Sequence, residues 1–372
     1  MKSTITKVEV FGVAVPLVGG GFKNAYVTKT VQKSAVIRIT DDSGNVGLGN
    51  IDPSPGYSAE SIEDSLKVLK EVLAPLVIGF DTFNVHHLLK KMNQSVEQFY
   101  DAKAAIEMAC TDLICRKLNI PVYTLLGGNV TENVLFNAWI GILPPDEAAA
   151  EAKKWFDKGF QSAKVKVGAD IYADRDRIAA IREAVGPEMK LRVDANAGYT
   201  VEESIALGKL LEPFNLQLFE QPVHADDLDG MAKVRQAIGI PVMADESIID
   251  HASLIAVIKK DAADIVKLKV MKQGGFLIAR RMLETASAAG LKVVIGHGFG
   301  LGVNTVAEIM FAASSEDVLP GLECVGPLKT VDDIVHHKLD ISSGSLALPS
   351  GPGLGVVLDD EKIQKYSFFK SI

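Results

Sequence analysis

The sequence predicts an α/β protein in which a parallel β/α barrel follows an α+β region. Three observations carry that expectation. From Asn133 onward, short apolar runs alternate with helical patterns in units of about 25 residues, the length of a strand, a helix and two turns. Three acidic residues close successive apolar runs: Asp194 after Leu191 to Val193, Glu220 after Leu216 to Phe219, and Asp245 after Pro241 to Ala244. Their spacings of 26 and 25 residues put them at the C-terminal tips of consecutive strands, the face on which parallel barrels carry their chemistry. Finally, lysine pairs flank them, Lys164-Val165-Lys166 before and Lys267-Leu268-Lys269 after.

Taken in order, Lys2 to Pro16 and Val31 to Thr40 alternate as strands do. Asp41-Asp42-Ser43-Gly44-Asn45 turns into Val46-Gly47-Leu48-Gly49, giving an antiparallel sheet. Val18-Gly19-Gly20-Gly21-Phe22 is loop by composition, and its glycines lack the strand–helix setting of a phosphate loop. A second loop spans Asn50 to Ser58. Helical periodicity marks Ser61 to Leu73, Val85 to Met92 and Ala102 to Lys117. Barrel strands are expected at Val134 to Ile140, Ser162 to Val167, Leu191 to Val193, Leu216 to Phe219, Val242 to Ala244, Ile265 to Lys269, Lys292 to Ile295 and Val318 to Leu322. Eight such strands argue for closure. Helices fall at Pro145 to Lys158, Asp174 to Val185 and Val201 to Leu211. Past about residue 326 the chain returns to polar turns and short strands, Leu346 to Pro352 and Lys362 to Phe369.

With 372 residues, 48% of them hydrophobic, the chain can build a large domain and a smaller one. A net charge of −8 spread over mixed signs leaves no basic footprint for nucleic acid. No run of about 18 apolar residues is present to cross a membrane. Met1 to Val10 carries Lys2, Lys7 and Glu9 and does not read as a signal peptide. Cys110, Cys115 and Cys324 lack paired spacing, which suggests reduced thiols and a cytoplasmic setting.

Carboxylates on neighbouring strand tips offer hard oxygen donors, suited to Mg²⁺ more than to zinc. A single Asp after a strand also serves as the N-cap of the next helix, but three in register favour a site. Residues i and i+2 share one face of a strand. Each lysine pair therefore puts two charges on one face of an apolar run, which is costly without partners. Two lysine-bearing strands flanking a carboxylate cluster follow.

Lys164-Val165-Lys166, Asp194-Ala195-Asn196, Glu220-Gln221-Pro222, Asp245-Glu246-Ser247 and Lys269-Val270-Met271-Lys272-Gln273-Gly274-Gly275 together resemble the signature of the enolase superfamily, muconate-lactonizing subgroup. The resemblance extends upstream to 102–109 and Leu125-Leu126-Gly127-Gly128, and downstream to Gly321-Leu322-Glu323-Cys324-Val325-Gly326-Pro327-Leu328, so nearly the whole chain is covered. It implies a modified TIM (β/α)7β-type barrel with an α+β capping domain. Residues 1–127 would form the cap, 128–325 the barrel, and 326–372 a tail that returns to the cap.

The resemblance also implies the reaction step. A base removes the proton α to a carboxylate, and Mg²⁺, with Mn²⁺ as a substitute, stabilises the enediolate. Asp194, Glu220 and Asp245 would be the metal ligands. Lys166 and Lys269 would be the two acid/base groups, with Lys164 as a cation beside Lys166 that lowers its pKa and touches the substrate carboxylate. Lys267 stands where relatives often carry a neutral residue; it is expected to pair with Asp245 or Glu220, or else to tune Lys269. His297 lies at the seventh strand tip, and with Glu323, Asn50, Phe22 and Asn196 it is a candidate substrate contact. The expected function is a Mg²⁺-dependent isomerase of a small carboxylate, a racemase/epimerase or cycloisomerase. A dehydratase using the same enediolate is the runner-up, and a non-catalytic barrel is a remote third. A homo-oligomer is expected.

Overall fold

Ile5–Pro16, Val31–Asp41 and Val46–Ile51 form an antiparallel sheet in a computed structural model that describes residues 2–23, 28–54, 58–168 and 170–371. At Phe22, Lys23 and Thr28 only the backbone is described. Helix Tyr100–Leu118 lies directly on this sheet. Gly47 and Gly49 permit that approach, since a Cβ there would come within 2.0 and 1.9 Å of the Ala109 and Ala105 carbonyl oxygens. The facing helix positions are themselves small, Ala102, Ala105 and Ala109, all buried. Small residues on both sides bring the two backbones into contact, and the Leu48 amide then reaches the Asp112 carboxylate at 2.8 Å.

The expected helix over Ser61 to Leu73 forms with a widened turn. Ile62–Val68 passes through a π turn over Leu69–Leu73 into Ala74–Val77. The Ala74 amide reaches back to the Leu69 carbonyl. Pro75, which has no amide hydrogen, falls where an unbroken α-helix would need one.

Seven parallel strands curl into the barrel: Asn137–Ile140, Ser162–Lys166, Lys190–Asp194, Leu218–Glu220, Val242–Ala244, Ile265–Leu268 and Lys292–Ile295. The eighth strand expected over Val318 to Leu322 is corrected. That segment makes isolated bridges only, Val293 with Val318, Phe136 with Leu322 and Gly298 with Cys324. Pro320 offers no amide, and Gly321 takes φ +98°, outside strand geometry. The bridges still close the ring: the Leu322 amide donates to Leu135 O at 2.7 Å and the Glu323 amide to Ile295 O at 2.9 Å.

Two further expectations shift. Val134 to Ile140 is two strands, because Asn133–Leu135 turns away to pair with Ser345–Ala347. Lys362 to Phe369 is largely helix. Asp359 caps Asp360–Tyr366, with Asp360 and Glu361 in its first turn, before Ser367–Ser371 runs as a strand beside Ile5–Pro16. The tail thus returns to the first sheet. Among the described residues no helix is long and apolar enough to cross a membrane.

Glu107 joins the two layers. Its buried carboxyl accepts the Phe276 and Leu277 amides at 2.8 and 3.2 Å, at the start of barrel helix Phe276–Ala288, which has no side-chain cap of its own. Burial pushes Glu107 up from 4.5 to about 7. The folded carboxyl therefore keeps its proton to higher pH than the unfolded one. Its contribution is complete below about pH 4.5 and is lost as pH rises through 7, by up to roughly 3 kcal/mol. Glu107→Gln cannot ionise, so the stability of wild type relative to the variant should fall by that order between pH 4.5 and 8. Urea unfolding at both pH values measures the change; a constant difference would mean that the carboxyl titrates as in an open chain.

Candidate active site

Parallel register assembles the site. Lys166 pairs with Asp194, and Asp194 with Glu220, so three charged tips stand side by side. Asp245 follows Ala244 on the next strand. Gln221, in the left-handed region at φ +36°, fixes the neighbouring loops. Its amide oxygen accepts the Asp245 and Ser247 amides at 3.0 and 3.2 Å, and its nitrogen donates to Val223 O at 3.0 Å.

The side chains form one buried network of alternating sign. Lys164 Nζ lies 3.1 Å from Asp194, 3.1 Å from Glu220 and 2.5 Å from Glu323. Lys267 Nζ lies 3.1 Å from Glu220, 2.5 Å from Glu323 and 3.7 Å from Asp245. Lys166 holds Asp194 at 2.7 Å, and Lys269 holds Asp245. Lys272 Nζ donates to the Asp245 carbonyl at 3.1 Å. Arg192 completes the floor, 3.0 Å from Glu323, while also donating to Gly321 O and Pro320 O at 2.8 and 2.6 Å.

Burial alone would raise the acids and lower the lysines; the network decides otherwise for most of them. Lys269, Lys267 and Lys272 hold Asp245 well below its ordinary range despite burial. Against the same penalty, Lys164, Lys267 and Arg192 hold Glu323 down. Glu220 and Glu323 likewise overcome burial to raise Lys164 and Lys267, which stay charged. Two members follow burial instead: burial and the Asp194 charge push Glu220 up to about 8, and burial and the Lys269 charge push Lys272 down to about 8. His297 is pushed down to about 3, first by burial and then by the lysines, so its imidazole is neutral.

Among the described residues no three acidic, His or Cys groups converge as a ready metal cluster. Asp194, Glu220 and Asp245 each point at a lysine ammonium instead. The donor chemistry nonetheless fits a hard divalent cation: three buried carboxylates on adjacent tips already gather cations. Glu220, crowded by a like charge, is the member such an ion would relieve.

A cavity opens over the network. Lys164, Lys166, Lys267, Lys269, Asp245 and His297 line it together with Trp139 and Phe299, and Lys29, Asp52, Ser54 and Ser58 reach it from the cap. Not every candidate is brought there. Glu323 belongs to the floor, occupied by two lysines and Arg192. Asn196 instead positions Lys166, accepting from its Nζ at 2.7 Å. Asn50 is buried at the cap–barrel seam, donating to Ala35 O and Ile51 O and accepting the Asn304 amide. Its side chain is consumed by backbone groups, which removes it as a substrate contact. The Phe22 side chain lies outside the described residues. Lys267 lies within ion-pair distance of three carboxylates, Glu220, Asp245 and Glu323, the pairing expected of a counter-ion.

Comparison with known proteins agrees with this geometry. Residues 147–362 match the model described as "Enolase C-terminal domain-like", and residues 5–127 match "Mandelate racemase / muconate lactonizing enzyme, N-terminal domain". The chain belongs to this family of the enolase superfamily. It is 32% identical to an N-succinyl-L-Arg/Lys racemase of Bacillus cereus over 99% of both chains, and the crystal structure of that racemase superposes with a TM-score of 0.94. A dipeptide epimerase of Enterococcus faecalis, solved with Mg and the dipeptide L-Leu-L-Tyr, is 30% identical over 95% of this chain and 99% of its own, with a TM-score of 0.89. A chloromuconate cycloisomerase of Cupriavidus pinatubonensis is 32% identical over 90% of this chain and 91% of its own. These relatives are isomerases, and the chain is an enzyme of their superfamily.

Several residues of this enolase-superfamily site were given no role by the sequence reading, among them Arg192, Lys272, Trp139 and Phe299. Arg192 stands two before Asp194, so the face rule that singled out both lysine pairs applies to it as well. Lys272, one turn past Lys269, had no such pattern. Trp139 and Phe299 gave no local signal, since an aromatic on a strand or loop reads as core.

Lys267→Met should cost 3–5 kcal/mol, of the order found when one member of a buried ion pair is removed, because Glu323 and Glu220 lose a shared cation. Adding Glu323→Gln should restore part of the loss. Calorimetric melting of the single and double variants measures both, and equal stability of the single variant and wild type would contradict the counter-ion assignment.

Proposed function

We propose that this enzyme moves a proton at the carbon α to a carboxylate, racemising or epimerising a small carboxylate of the acyl-amino-acid or dipeptide type. One observation carries the reading. Lys166 and Lys269 enter a single cavity from opposite ends of the row Asp194, Glu220, Asp245, each tethered to the outer carboxylate nearest it. A substrate carboxylate anchored over that row would present the two faces of its α-carbon to different lysines.

The lysine that is a free amine accepts the proton on one face. The opposite lysine, as an ammonium, returns a proton to the other face. After one turnover the protonation states are exchanged, and solvent resets them. Asp194, Glu220 and Asp245 would hold Mg²⁺, or Mn²⁺, which when bound supplies positive charge against the second negative charge that develops on the substrate carboxylate. Lys164 adds a fixed ammonium at the same end, kept charged by Glu220 and Glu323. The Trp139 ring lies beneath both lysines of its neighbouring strand, 4.7 Å from Lys164 Nζ and 5.3 Å from Lys166 Nζ. It packs against both side chains at that end of the cavity. The neutral His297 keeps one ring N–H for hydrogen bonding and takes up no second proton in the working pH range.

Chelation should abolish activity and Mg²⁺ should restore it, while Asp245→Asn should weaken metal binding with the fold retained. Full turnover in excess chelator would overturn the metal assignment. Lys166→Ala and Lys269→Ala should each stop racemisation. Each variant should still exchange the α-hydrogen of one enantiomer with deuterium, a different enantiomer for each, as followed by NMR. Retention of both exchanges in both variants would remove the two-lysine assignment. A new double bond or carbonyl in the product would instead indicate elimination.

A further inference from the structure

A second cavity, of about 210 Å³, opens at the seam of cap and barrel and shares no lining residue with the one over the carboxylate network. Lys103, in the first turn of helix Tyr100–Leu118, lines it. The residue is only 3% exposed, and among the described residues its ammonium has no hydrogen-bond or ion-pair partner. The Tyr100 ring centroid lies 5.7 Å from Nζ, at the outer limit of a cation–π contact. Burial pushes Lys103 below the ordinary lysine range, against the opposing charge of Glu60. A desolvated ammonium with no acceptor is costly in the empty cavity and gains from an anion.

The acids around Lys103 are already engaged. Glu60 accepts the Asp101 and Ala102 amides at 2.8 and 3.3 Å and the Ser65 hydroxyl at 2.5 Å, so it caps the long helix instead of pairing with Lys103. Asp250, a second acid in the lining, accepts the Ser253 amide at 2.8 Å and the Tyr100 hydroxyl at 3.3 Å. Gln273 takes the Lys269 amide at 2.6 Å and donates to Ile248 O at 3.4 Å. Lys103 is therefore the polar group left open to a ligand. A single ammonium facing a cavity that also holds Asp250 suits a monoanion better than a phosphate dianion. Leu89 and Ile278 give the same cavity apolar wall, which suits a carbon body.

We propose that the seam cavity is a second binding site, for a small monocarboxylate with an apolar body, its carboxylate on Lys103 and its body against Leu89, Ile278 and Tyr100. The site lies behind the catalytic cavity, and Gln273 joins its lining to the backbone of Lys269.

The probes are 4-bromobenzoate and its uncharged analogue 4-bromobenzamide, added to the Mg²⁺-loaded enzyme. In crystals, anomalous scattering from bromine should place the acid in the seam cavity, separately from any molecule over the active-site carboxylates. In calorimetry, the part of the binding that depends on Lys103 should be at least about tenfold tighter for the acid than for the amide, the scale of one charge-assisted contact. Lys103→Met should remove both the seam bromine and that preference, and Lys103→Arg should keep part of each. Ile278→Trp fills the cavity while leaving Lys103 in place, so it should also remove the seam bromine, and it keeps the test open should the methionine variant fail to fold. Bromine at the active site alone, equal affinity for acid and amide, or a seam bromine that persists in Lys103→Met or Ile278→Trp would each overturn the proposal.

Discussion

Burying an ionised side chain costs several kcal/mol unless an opposite charge and hydrogen bonds replace the lost water. The end of this barrel buries Lys164, Lys166, Lys267, Lys269, Lys272 and Arg192 with Asp194, Glu220, Asp245 and Glu323. Their coexistence depends on alternation, which the strand register supplies. Lys164 and Lys267, from strands on either side, meet over Glu220 and Glu323. Displacing one strand by a residue would turn its charges outward and leave their partners unmatched. The network therefore specifies register as firmly as the apolar core does.

The same constraint accounts for the weak eighth segment. Pro320 and Gly321 forfeit a regular ladder there. Arg192 compensates, donating to Pro320 O and Gly321 O while pairing with Glu323 on the same segment. Closure of the barrel is thus partly a charged tether in place of strand pairing. Glu323, a candidate substrate contact by sequence, is held in the floor by Lys164, Lys267 and Arg192. Lys164 and Lys267 each touch three carboxylates; Lys166 is held by Asp194 and Asn196, and Lys269 pairs with Asp245.

Strand-borne features were legible in the sequence because alternation and spacing constrain them directly. The order of elements, the carboxylate tips and both lysine pairs stand where period 2 and the 25-residue unit put them. Arg192 obeyed the same rule and was passed over because it was not flanked by a second basic residue. What remained hidden depends on contacts between distant segments. Asn50 was expected to open a loop and contact substrate, but it lies in strand Val46–Ile51 and its side chain is fixed by Ala35, Ile51 and Asn304, more than 250 residues away in the last case. Glu107 gave no hint that it caps a helix on the other layer. The tail over Lys362 to Phe369 was expected as a short strand, yet the Asp359 cap and two acids in the first turn make Asp360–Tyr366 helical before the strand Ser367–Ser371.

The two walls of the cavity are therefore built by different physics. Below, parallel register and charge balance fix the lysines and carboxylates together, and no one of them can change without exposing another's charge. Above, the residues come from connecting segments pinned at a few points. Asp52 is held by Ser34 and Asn304, and Ser58 donates to Asp101 at 2.8 Å, at the start of the long cap helix. Between such anchors Lys29 and Ser54 face the cavity without membership in the network. A substitution at one of these positions would change the lining of the cavity and leave register, closure and the lysine–carboxylate network intact, because the two walls depend on separate sets of contacts.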